Sequence, residues 1–388
     1  MKILHVINLQ GFGGAERLFL EYLKNSSFHN EILCTSNDIN KNIKPELSQF
    51  KIDFSSKISS TLLKYPTFLR KLALKKKIEN KKSDITIIWD FVPRLSNKPK
   101  NTTVIYYDHG CSWRYPINER TLSFFNMIDG AIAVSEASKK VIMSRFSPDF
   151  IINKIINRLP KKISTSGKSI NNKKEIILGT ASRLVGLKGI SVSILTVKEL
   201  ISRGINVKLL IAGNGEDEQK LKILVHKVGV ENNIKFIGYC SDVSDFYNKV
   251  DIYLSTPITE PFGLSCIEAL SNAVPVIFPF IDGQPESVKD GYCGIGLKPT
   301  VSIDEHKKLT NIDIDFPHQV YDPINDQLTE PKLLSHVDCA DAVERLLKDL
   351  SLYESMSKNS IEWSKESMNY EKFINEFEGA LKAFSEKQ

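Results

Sequence analysis

The sequence predicts an α/β fold with two doubly wound domains, and three observations lead to this prediction. Short apolar strands alternate with helical segments along the 388 residues. The strands are almost continuously apolar, which is typical of parallel sheets covered by helices on both faces. A polar stretch at about 157–174 separates two such series, and the chain is long enough for two full hydrophobic cores.

The first series begins with an apolar strand that a glycine-rich turn ends. The helical spacing of apolar residues after this turn predicts a helix from Ala15 to Lys24. We predict the strands of this half at Ile3–Asn8, Glu31–Ser36, Asp84–Asp90, Thr103–His109 and Gly130–Ser135.

The second series follows a polar segment, 161–174, that we predict to be a linker because it offers little to a core. Its predicted strands are Glu175–Arg183, Val207–Gly213, Ile234–Tyr239, Asp251–Thr256 and Val274–Pro279. Residues at about 300–336 are rich in acidic residues and weakly periodic, so we predict a surface excursion before a helix at Cys339–Leu350. Ligands of such folds bind beyond the carboxyl ends of the strands, which we expect to face each other across a cleft.

Composition excludes several classes of protein. With 41% apolar and 25% charged residues, the chain is neither collagen-like nor disordered. The six cysteines are scattered without a C-x-x-C pair and the seven histidines form no cluster, so we expect reduced core cysteines and no bound metal. No apolar run approaches the ~18 residues of a membrane span, and the start is too short for a secretory signal. We expect a cytoplasmic protein.

The net charge of +6 is the sum of two unlike halves. Residues 1–174 carry 30 Lys and Arg against 14 Asp and Glu, whereas residues 175–388 carry 22 against 32. Residues 57–82 hold nine of these cations and one acid, interleaved with apolar residues at helical spacing. Such a helix can lie on anionic lipid, or it can be a solvated helix that packs on its own domain. No aromatic stacking set accompanies the charge, so we expect no nucleic-acid partner.

Three motifs contain residues suited to binding a ligand. Gly11 to Glu16 follow the first strand, where glycines allow close backbone approach and a helix N-terminus favours an anion, although a tight turn alone also needs glycine. It is not a dinucleotide motif, because the third glycine would fall at Glu16. Arg183 and Lys188, five residues apart after a strand, suit a diphosphate.

The third motif places Glu260 and Glu268 eight residues apart around a Pro-Phe-Gly turn. Gly263 and Leu264 would begin a helix whose free N–H groups can bind phosphate. Carboxylates beside an anion site are costly unless they accept hydrogen bonds from hydroxyls, so a sugar nucleotide fits better than a bare anion.

In this order the motifs resemble glycosyltransferase family 4. The resemblance rests on the E-x7-E element, the Arg and Lys-Gly pair, and the segments 212–215, 236–238, 283–286, 13–16, 108–110 and 134–136. It covers nearly the whole chain apart from 40–80 and 300–335, and it implies the GT-B architecture of two Rossmann-like domains. The run 359–384 resembles the family's last helices, which cross back onto the first domain. We therefore expect an acceptor-binding domain at 1–160 with about 365–388, and a nucleotide-sugar domain at 175–364.

The resemblance also implies residue roles. Arg183 and Lys188 would neutralise the donor diphosphate, Glu268 would hold the ribose hydroxyls, and Glu260 the donor sugar. The remaining implied donor-site residues are Gly13, Gly14, Gly213, Gly238, Gly263 and Leu264, with His109 beside the donor sugar. The configuration-retaining reaction of the family is explained by same-face attack, in which the leaving phosphate takes the acceptor's proton. We therefore assign no protein nucleophile, no cofactor and no metal ion.

These implications predict a retaining glycosyltransferase that uses a nucleotide-diphosphate sugar. The acceptor would be a glycan or a lipid-linked glycan of bacterial capsule or lipopolysaccharide synthesis, with the basic domain docked on the anionic inner leaflet. A non-catalytic nucleotide-sugar or membrane-binding scaffold and a sugar epimerase of the same fold are the alternatives. Two departures from the family pattern stand out: Asp282 replaces a glycine, and the 300–336 excursion is unusually long. Three roles are possible for this excursion: it could cap the cleft, bind the acceptor or form an oligomer contact.

Overall fold

The chain divides into two compact units. The first unit comprises Met1–Leu159 together with Tyr370–Gln388, and the second comprises Pro160–Asn369. The structure is a computed structural model that describes residues 1–11, 13–58, 61–62, 67–160, 162–240, 243–314 and 318–386.

The first unit alternates strands and helices as the sequence predicts. Its elements are β1 (Lys2–Ile7), α1 (Gly14–Asn25), β2 (His29–Cys34), β3 (Ile52–Phe54), β4 (Lys57–Ile58), β5 (Thr61–Leu62), α2 (Thr67–Lys81), β6 (Ile85–Trp89), β7 (Thr103–Asp108), α3 (Glu119–Met127), β8 (Gly130–Ala133), α4 (Glu136–Phe146), β9 (Ile151–Lys154) and the C-terminal helix α13 (Tyr370–Ser385). All five predicted strands are present. The sequence missed β3 and β9 because these short edge strands are only partly buried and carry no clear apolar run.

Within the described residues, seven strands of this unit form one parallel sheet in the order β3-β2-β1-β6-β7-β8-β9. Strand order reverses at β1, which pairs with both β2 and β6. The central strands β6, β7 and β8 are buried along their whole length, as the continuous apolar pattern predicts. Helix α13 packs on this unit through Phe377, whose ring lies 4.9 Å from Tyr22 and 5.2 Å from Tyr107.

The second unit repeats the architecture. Its elements are β10 (Ile176–Ala181), α5 (Ile190–Ser202), β11 (Val207–Ala212), α6 (Glu218–Val228), β12 (Ile234–Gly238), α7 (Ser244–Lys249), β13 (Ile252–Leu254), α8 (Leu264–Ser271), β14 (Val276–Pro279), α9 (Gln284–Ser287), β15 (Gly294–Leu297), β16 (Val301–Ser302), α10 (Ile303–Thr310), β17 (Val320–Asp322), β18 (Gln327–Thr329), β19 (Lys332–Leu333), α11 (His336–Lys348) and α12 (Leu350–Ser367). In the described part of the unit, six strands form a parallel sheet in the order β12-β11-β10-β13-β14-β15. This is the strand order of Rossmann-like domains, with its reversal between β10 and β13.

The predicted linker is part of the second unit's packing. Ile170 is buried in the core around β10 and β11. The backbone N–H of Lys168 donates to Ser357 Oγ at 2.7 Å, and its ammonium donates to the carbonyls of Tyr247 and Val250. Burial lowers the pKa of Lys168 to about 8. Lys161, also in the predicted linker, lies outside the described residues.

The 300–336 segment is more ordered and more buried than the sequence predicts. Helix α10 buries His306, and the antiparallel hairpin β17–β18 buries Val320. Strands β16 and β19 pair antiparallel and bury Leu333. These strands contain only two or three residues each, too few for a periodic apolar pattern to reveal them. Residues 315–317 of this segment lie outside the described residues.

The six cysteines, all among the described residues, are free thiols. In the part of the chain that the structure describes, no group of three or more His, Cys, Asp or Glu side chains is placed to hold a metal ion. None of the helices described combines the length and the apolar character that crossing a membrane requires.

Candidate functional site

The predicted donor residues of the second unit lie at one edge of its sheet. Arg183 and Lys188 follow β10, and Gly213 follows β11. Glu260 follows β13, and Gly263 and Leu264 then begin α8. Gly238 ends β12. Because all these strands are parallel, their carboxyl ends share one edge, which is where ligands of such sheets bind.

The structure brings Lys188 and Glu260 into direct contact. Lys188 Nζ lies 2.6 Å from Glu260 Oε2, and the two side chains are 23% and 16% exposed. The loops that carry them are joined by a hydrogen bond from the backbone N–H of Ile258 to the carbonyl of Leu187, at 2.9 Å. Because an ammonium has three N–H donors, Lys188 can hold Glu260 and still donate to a ligand.

Arg183 is an exposed residue of the same loop. Within the described residues its guanidinium makes no ion pair or hydrogen bond. The loop itself is fixed, because the Asp217 carboxylate accepts a hydrogen bond from the N–H of Gly186 at 2.7 Å and the N–H of Asp217 donates to the Leu184 carbonyl. A fixed loop with a free guanidinium suits the recognition of an anion.

Helix α8 begins at Leu264, directly after the loop that carries Glu260. Gly263 precedes it with a φ of 104°, a conformation that favours glycine. A Cβ at this position would lie 2.7 Å from Gln284 Nε2 and 3.0 Å from Ser287 Oγ. The carbonyl of Gly263 accepts from the N–H groups of Cys266 and Ile267, while none of the described residues accepts from the N–H of Leu264. Such first-turn N–H groups are the donors that anions bind at helix N-termini.

Glu268 lies one turn into α8 and is buried. Its Oε2 is 3.4 Å from the hydroxyl of Tyr247, which lies closer, at 2.9 Å, to the Ser265 carbonyl. One hydroxyl hydrogen serves one acceptor best, so the shorter contact to Ser265 is the stronger bond. Glu268 is thus a buried carboxylate in the first turns of α8, and its contact with ribose hydroxyls stays a prediction.

Gln284 lies against the start of α8, and sequence analysis assigns no role to this residue. Its amide oxygen accepts from Ser255 Oγ at 3.3 Å and from Cys266 Sγ at 3.4 Å. Its Nε2 is buried and has no hydrogen-bond partner among the described residues. A buried amide donor left without an acceptor costs free energy, so its place against Gly263 marks this end of α8 as a candidate ligand position.

Gly213 and Gly238 are structural neighbours. The N–H of Gly213 donates to the Gly238 carbonyl at 2.7 Å. Gly213 has a φ of 120°, and a Cβ there would lie 1.9 Å from the Ser182 carbonyl oxygen. The glycine is therefore required by the close approach of the ends of β10 and β11, and a contact with the donor remains a prediction.

In the first unit, His109 follows β7 in a buried aromatic setting. Its ring stacks on Trp89 at 5.5 Å between centroids, and its Nδ1 lies 3.2 Å from Asn157 Nδ2. The Asn157 amide has its oxygen toward Tyr107, whose hydroxyl donates to it at 2.6 Å. Asn157 Nδ2 therefore donates to Nδ1, and the neutral ring carries its hydrogen on Nε2.

The His109 Nε2 is buried and without a hydrogen-bond partner in the described residues. Burial lowers the pKa of His109 to about 3, so the ring is neutral at physiological pH. The backbone N–H of His109 donates to Asp90 at 2.6 Å. Burial, together with the Asp108 charge, raises the pKa of Asp90. The structure thus presents one unused N–H donor at the end of β7.

Gly13 and Gly14 form the start of α1. The N–H of Gly13 donates to Glu16 Oε2 at 2.8 Å, so Glu16 caps the helix. Phe12, between Gly11 and Gly13, lies outside the described residues. The glycines occupy the loop after β1, as predicted, and their contact with a ligand stays a prediction.

The basic segment 57–82 is partly engaged within its own unit. Lys77 donates to the backbone carbonyls of Phe54 and Lys57, and Lys81 contacts Glu31 and Asp53. Residues 59–60 and 63–66 lie outside the described residues.

The exposed residues of this segment that the structure describes include Leu72, Lys76 and Lys82. Leu72 and Lys76 lie four residues apart on α2 and so share a face. Leu74 and Ile78 of α2 are buried in the core of this unit, so the helix packs on its own domain while some of its cations face solvent. Contact of those cations with anionic lipid stays a prediction.

A family model matches the region of the predicted donor residues, and several known proteins match part of the chain. Residues 162–312 match the family model of glycosyl transferases group 1, and this range contains Arg183, Lys188, Glu260 and Glu268. Protein CapJ of Staphylococcus aureus is 28% identical over 211 residues, which are 54% of this chain and 47% of that protein. The capsular polysaccharide biosynthesis glycosyltransferase CapM of Staphylococcus aureus is 34% identical over 119 residues, 30% of this chain and 31% of that protein. The chain thus spans less than half the length of either relative, and the matches support a place in the glycosyltransferase superfamily.

Solved structures extend the likeness to the whole chain. Anabaena HepE in complex with UDP and glucose has a TM-score of 0.73 at 17% identity, covering 99% of this chain and 100% of that one. A TarM variant of Staphylococcus aureus in complex with fondaparinux, alpha-GlcNAc-glycerol and UDP has a TM-score of 0.69 at 15% identity, covering 99% of each chain. At this identity the likeness concerns the fold, and it confirms the predicted GT-B class with two Rossmann-like domains.

Proposed function

We propose that this protein is a retaining, metal-independent glycosyltransferase of family 4 that transfers a sugar from a nucleotide-diphosphate sugar. The observation that carries the proposal is the half-buried Lys188–Glu260 pair at the carboxyl edge of the sheet. Glu260 of this pair lies four residues before Leu264, the first residue of α8. Cations, N–H donors and carboxylates along one edge of the sheet suit a ligand with both phosphates and hydroxyls.

The chemistry requires stabilisation of the charge that grows on the departing nucleoside diphosphate. In this proposal Arg183 and Lys188 bind the diphosphate, and the N–H groups of Gly263 and Leu264 bind its distal phosphate. Preorganised donors of this kind stabilise a developing oxyanion. Glu268 accepts from the ribose hydroxyls and Glu260 from the donor sugar. Within the first unit, Gly13, Gly14 and His109 keep the roles that the resemblance implies, with Nε2–H of His109 as a donor to a sugar hydroxyl.

The relatives support the choice of substrates. HepE was solved with UDP-glucose and the TarM variant with UDP, which supports a UDP-sugar as donor. CapM is named for capsular polysaccharide biosynthesis, and another relative is a poly(ribitol-phosphate) alpha-N-acetylglucosaminyltransferase of Staphylococcus aureus. WaaG, which is named for lipopolysaccharide biosynthesis, has a TM-score of 0.60. We infer from them an acceptor that is a glycan or lipid-linked glycan of the bacterial surface.

The proposal is tested first on the donor. Thermal unfolding is measured with UDP-, GDP- and ADP-sugars, because a ligand that binds the native state raises Tm. With the stabilising sugar, release of nucleoside diphosphate and transfer to extracted lipid-linked glycans are followed, and the anomeric configuration of the product is read by NMR. EDTA is included to test metal independence.

Each result separates the proposed function from its alternatives. Transfer with retained configuration, undiminished by EDTA and lost in Lys188→Ala, supports the proposal. Stabilisation by a nucleotide sugar without transfer, or epimerisation of the sugar without an acceptor, would replace the transferase by a scaffold or an epimerase. An unchanged Tm with every nucleotide sugar would contradict a donor site altogether.

We propose in addition that the basic first unit docks on the anionic inner leaflet. The described residues that support this proposal are Leu72, Lys76 and Lys82, which are exposed. Each cation near an anionic surface contributes about 1 kcal/mol, so Lys76→Glu should weaken vesicle binding by about fivefold or more. Lys77 is unsuitable for this test because it holds the backbone of its own unit.

Flotation with vesicles measures this docking. Binding to phosphatidylglycerol vesicles above that to phosphatidylcholine vesicles, reduced by Lys76→Glu but not by the exposed control Lys235→Glu of the second unit, supports it. Equal binding to both vesicle types would contradict it.

A further inference from the structure

Asp282 holds the segment that carries Glu260. Its Oδ2 accepts a hydrogen bond from the Thr259 hydroxyl at 2.6 Å and another from the backbone N–H of Glu260 at 3.0 Å. The backbone N–H of Gly283 donates to the Glu260 carbonyl at 3.2 Å. Glu260 is therefore fixed on both its N–H and its carbonyl side by the two residues 282 and 283.

The same aspartate holds the hairpin β17–β18. Its Oδ1 accepts from the backbone N–H of Tyr321 at 2.8 Å, and its own N–H donates to the Tyr321 carbonyl at 2.9 Å. Asp282 is 1% exposed and has a φ of 45°, a backbone conformation that is uncommon for a residue with a side chain. Buried, strained and bonded on both oxygens, this carboxylate links the hairpin to Glu260.

The 300–336 segment also touches the loop that carries Lys188. A Cβ on Gly186 would lie 3.3 Å from Ile314 Cγ1 and 3.6 Å from Ile314 Cα, so Ile314 packs directly over the turn Gly186–Lys188. The segment thus contacts the turn that carries Lys188, through Ile314, and it contacts Asp282, which bonds to Glu260, through Tyr321.

Asp282 and the hairpin depend on each other. Without a carboxylate at position 282, three donors would lose their acceptor: the N–H groups of Glu260 and Tyr321 and the hydroxyl of Thr259. The link between the hairpin and the segment of Glu260 would be lost with it. Buried donors without acceptors cost about 1–3 kcal/mol each. A carboxylate is well suited here, because its two oxygens can accept several hydrogen bonds at once.

We propose that Asp282 is a positioning residue that couples the 300–336 segment to Glu260, and that this segment thereby takes part in selecting the donor sugar. The proposal rests on the proposed function of Glu260 at the donor sugar. Under this proposal the 300–336 segment acts at the donor site of the second unit, because it contacts Gly186 and Asp282 there.

The test uses Asp282→Asn, which keeps the volume of the side chain but replaces one acceptor oxygen by a donor. The matched control is Asp313→Asn, which removes a carboxylate of the same segment that is 77% exposed and pairs with Lys307. Steady-state kinetics with the donor found by thermal screening give kcat and KM for the full chain. Because a displacement of a positioned group by about 1 Å costs up to 100-fold, we expect Asp282→Asn to lower kcat/KM by about 10-fold to 100-fold and the control to leave it within twofold.

A double-mutant cycle shows whether Asp282 acts through Glu260. In a Glu260→Gln background we expect Asp282→Asn to lower the remaining activity by less than threefold, because the carboxylate that Asp282 positions has already been replaced. Equal fold losses in both backgrounds would overturn the proposal. Hydrogen exchange on peptides around 257–262 and 319–323 supplies a readout that needs no activity: faster exchange is expected in both peptides, and faster exchange in only one would break the coupling.

Ile314→Ala tests the contact between Ile314 and the turn Gly186–Lys188 without changing any charge. It also keeps the proposal testable if the Asp282→Asn variant fails to fold. We expect Ile314→Ala and Asp282→Asn each to lower the ratio of kcat/KM between the best and second-best nucleotide sugar by about tenfold, the lower end of what a one-methylene packing change supplies. An unchanged ratio in both variants would overturn the selection role. If no nucleotide sugar stabilises the wild-type chain, the proposed function fails instead, and the hydrogen-exchange result still decides the coupling.

Discussion

Lys188 Nζ lies 2.6 Å from Glu260 Oε2, and the two residues come from loops that follow different strands, β10 and β13. Both side chains are largely shielded from solvent, so the attraction between them is stronger than that of a surface ion pair. The pair places a positive and a negative group side by side at the edge of the sheet. A ligand that carries a phosphate next to hydroxyl groups would match this arrangement.

Glu260→Gln and Lys188→Ala should each lower sugar transfer by about 10²–10³-fold, since each removes a preorganised charge at the reacting group. The double variant should lose less than the product of the single losses, because the two residues act as a pair. Lys220→Ala is the control: Lys220 also pairs with a carboxylate, that of Asp217, but its side chain is 55% exposed. Transfer rates with saturating donor measure the effect, and retention of more than a tenth of wild-type activity in Glu260→Gln would remove this residue from the site.

Glu268→Gln should weaken binding of the free nucleoside diphosphate by about 10-fold. A hydrogen bond to a charged acceptor contributes about 1.5–3 kcal/mol, and the variant replaces the carboxylate by a neutral amide. Titration calorimetry with UDP measures the affinity. Glu362→Gln on α12, whose side chain is 59% exposed beside Lys365, should bind UDP as the wild type does. Equal affinities of the two variants would exclude Glu268 as a ligand of the nucleotide.

Gly263→Ala should lower the free energy of unfolding by about 1–3 kcal/mol and abolish UDP-induced stabilisation. The new Cβ would occupy a left-handed conformation and lie 2.7 Å from Gln284 Nε2, so the start of α8 must move. Gly379→Ala is the matched control, because nothing lies within 4 Å of a Cβ there and the residue is inside helix α13. This control should be neutral or up to about 1 kcal/mol more stable. Urea unfolding with and without UDP distinguishes the two variants.

The stability of the chain should fall below pH 6.5, in part through His306. This histidine is buried on α10 with its Nε2 2.7 Å from Ser191 Oγ, and burial, followed by the nearby His336 charge, lowers its pKa to about 4. The folded state keeps the ring neutral while the unfolded chain protonates below about 6.5, so the contribution is complete above pH 6.5 and declines as the pH falls toward 4.

Between pH 6.5 and 5, His306 should account for about 2 kcal/mol of lost stability. His306→Gln should therefore lose about 2 kcal/mol less than the wild type over this interval in urea unfolding. His226→Gln should behave as the wild type, because the His226 side chain is 80% exposed. A wild-type pH dependence in His306→Gln would contradict the assignment.

Much of the fold followed from local sequence. Continuous apolar runs predicted the central strands, because a parallel sheet buries both faces of each strand and needs no alternation. Gly213 and Gly263 were singled out from motifs, and the structure gives both a positive φ, which a residue without a side chain adopts easily. The short edge strands β3 and β9 and the hairpin β17–β18 were missed, since three or four residues carry too little periodicity.

The sequence by itself determined which chemical groups stand at the ends of the strands, because motif spacing and strand ends are local properties of the chain. Only the tertiary structure decided how those groups pair. The contact of Lys188 with Glu260 spans 72 residues, and the contact of Asp282 with Tyr321 spans 39. Such contacts depend on strand order, register and the path of a long excursion, which are settled by packing of the whole unit rather than by any local pattern. Asp282 shows the difference most clearly: the sequence marks it as an unusual residue, and the structure shows what its carboxylate holds.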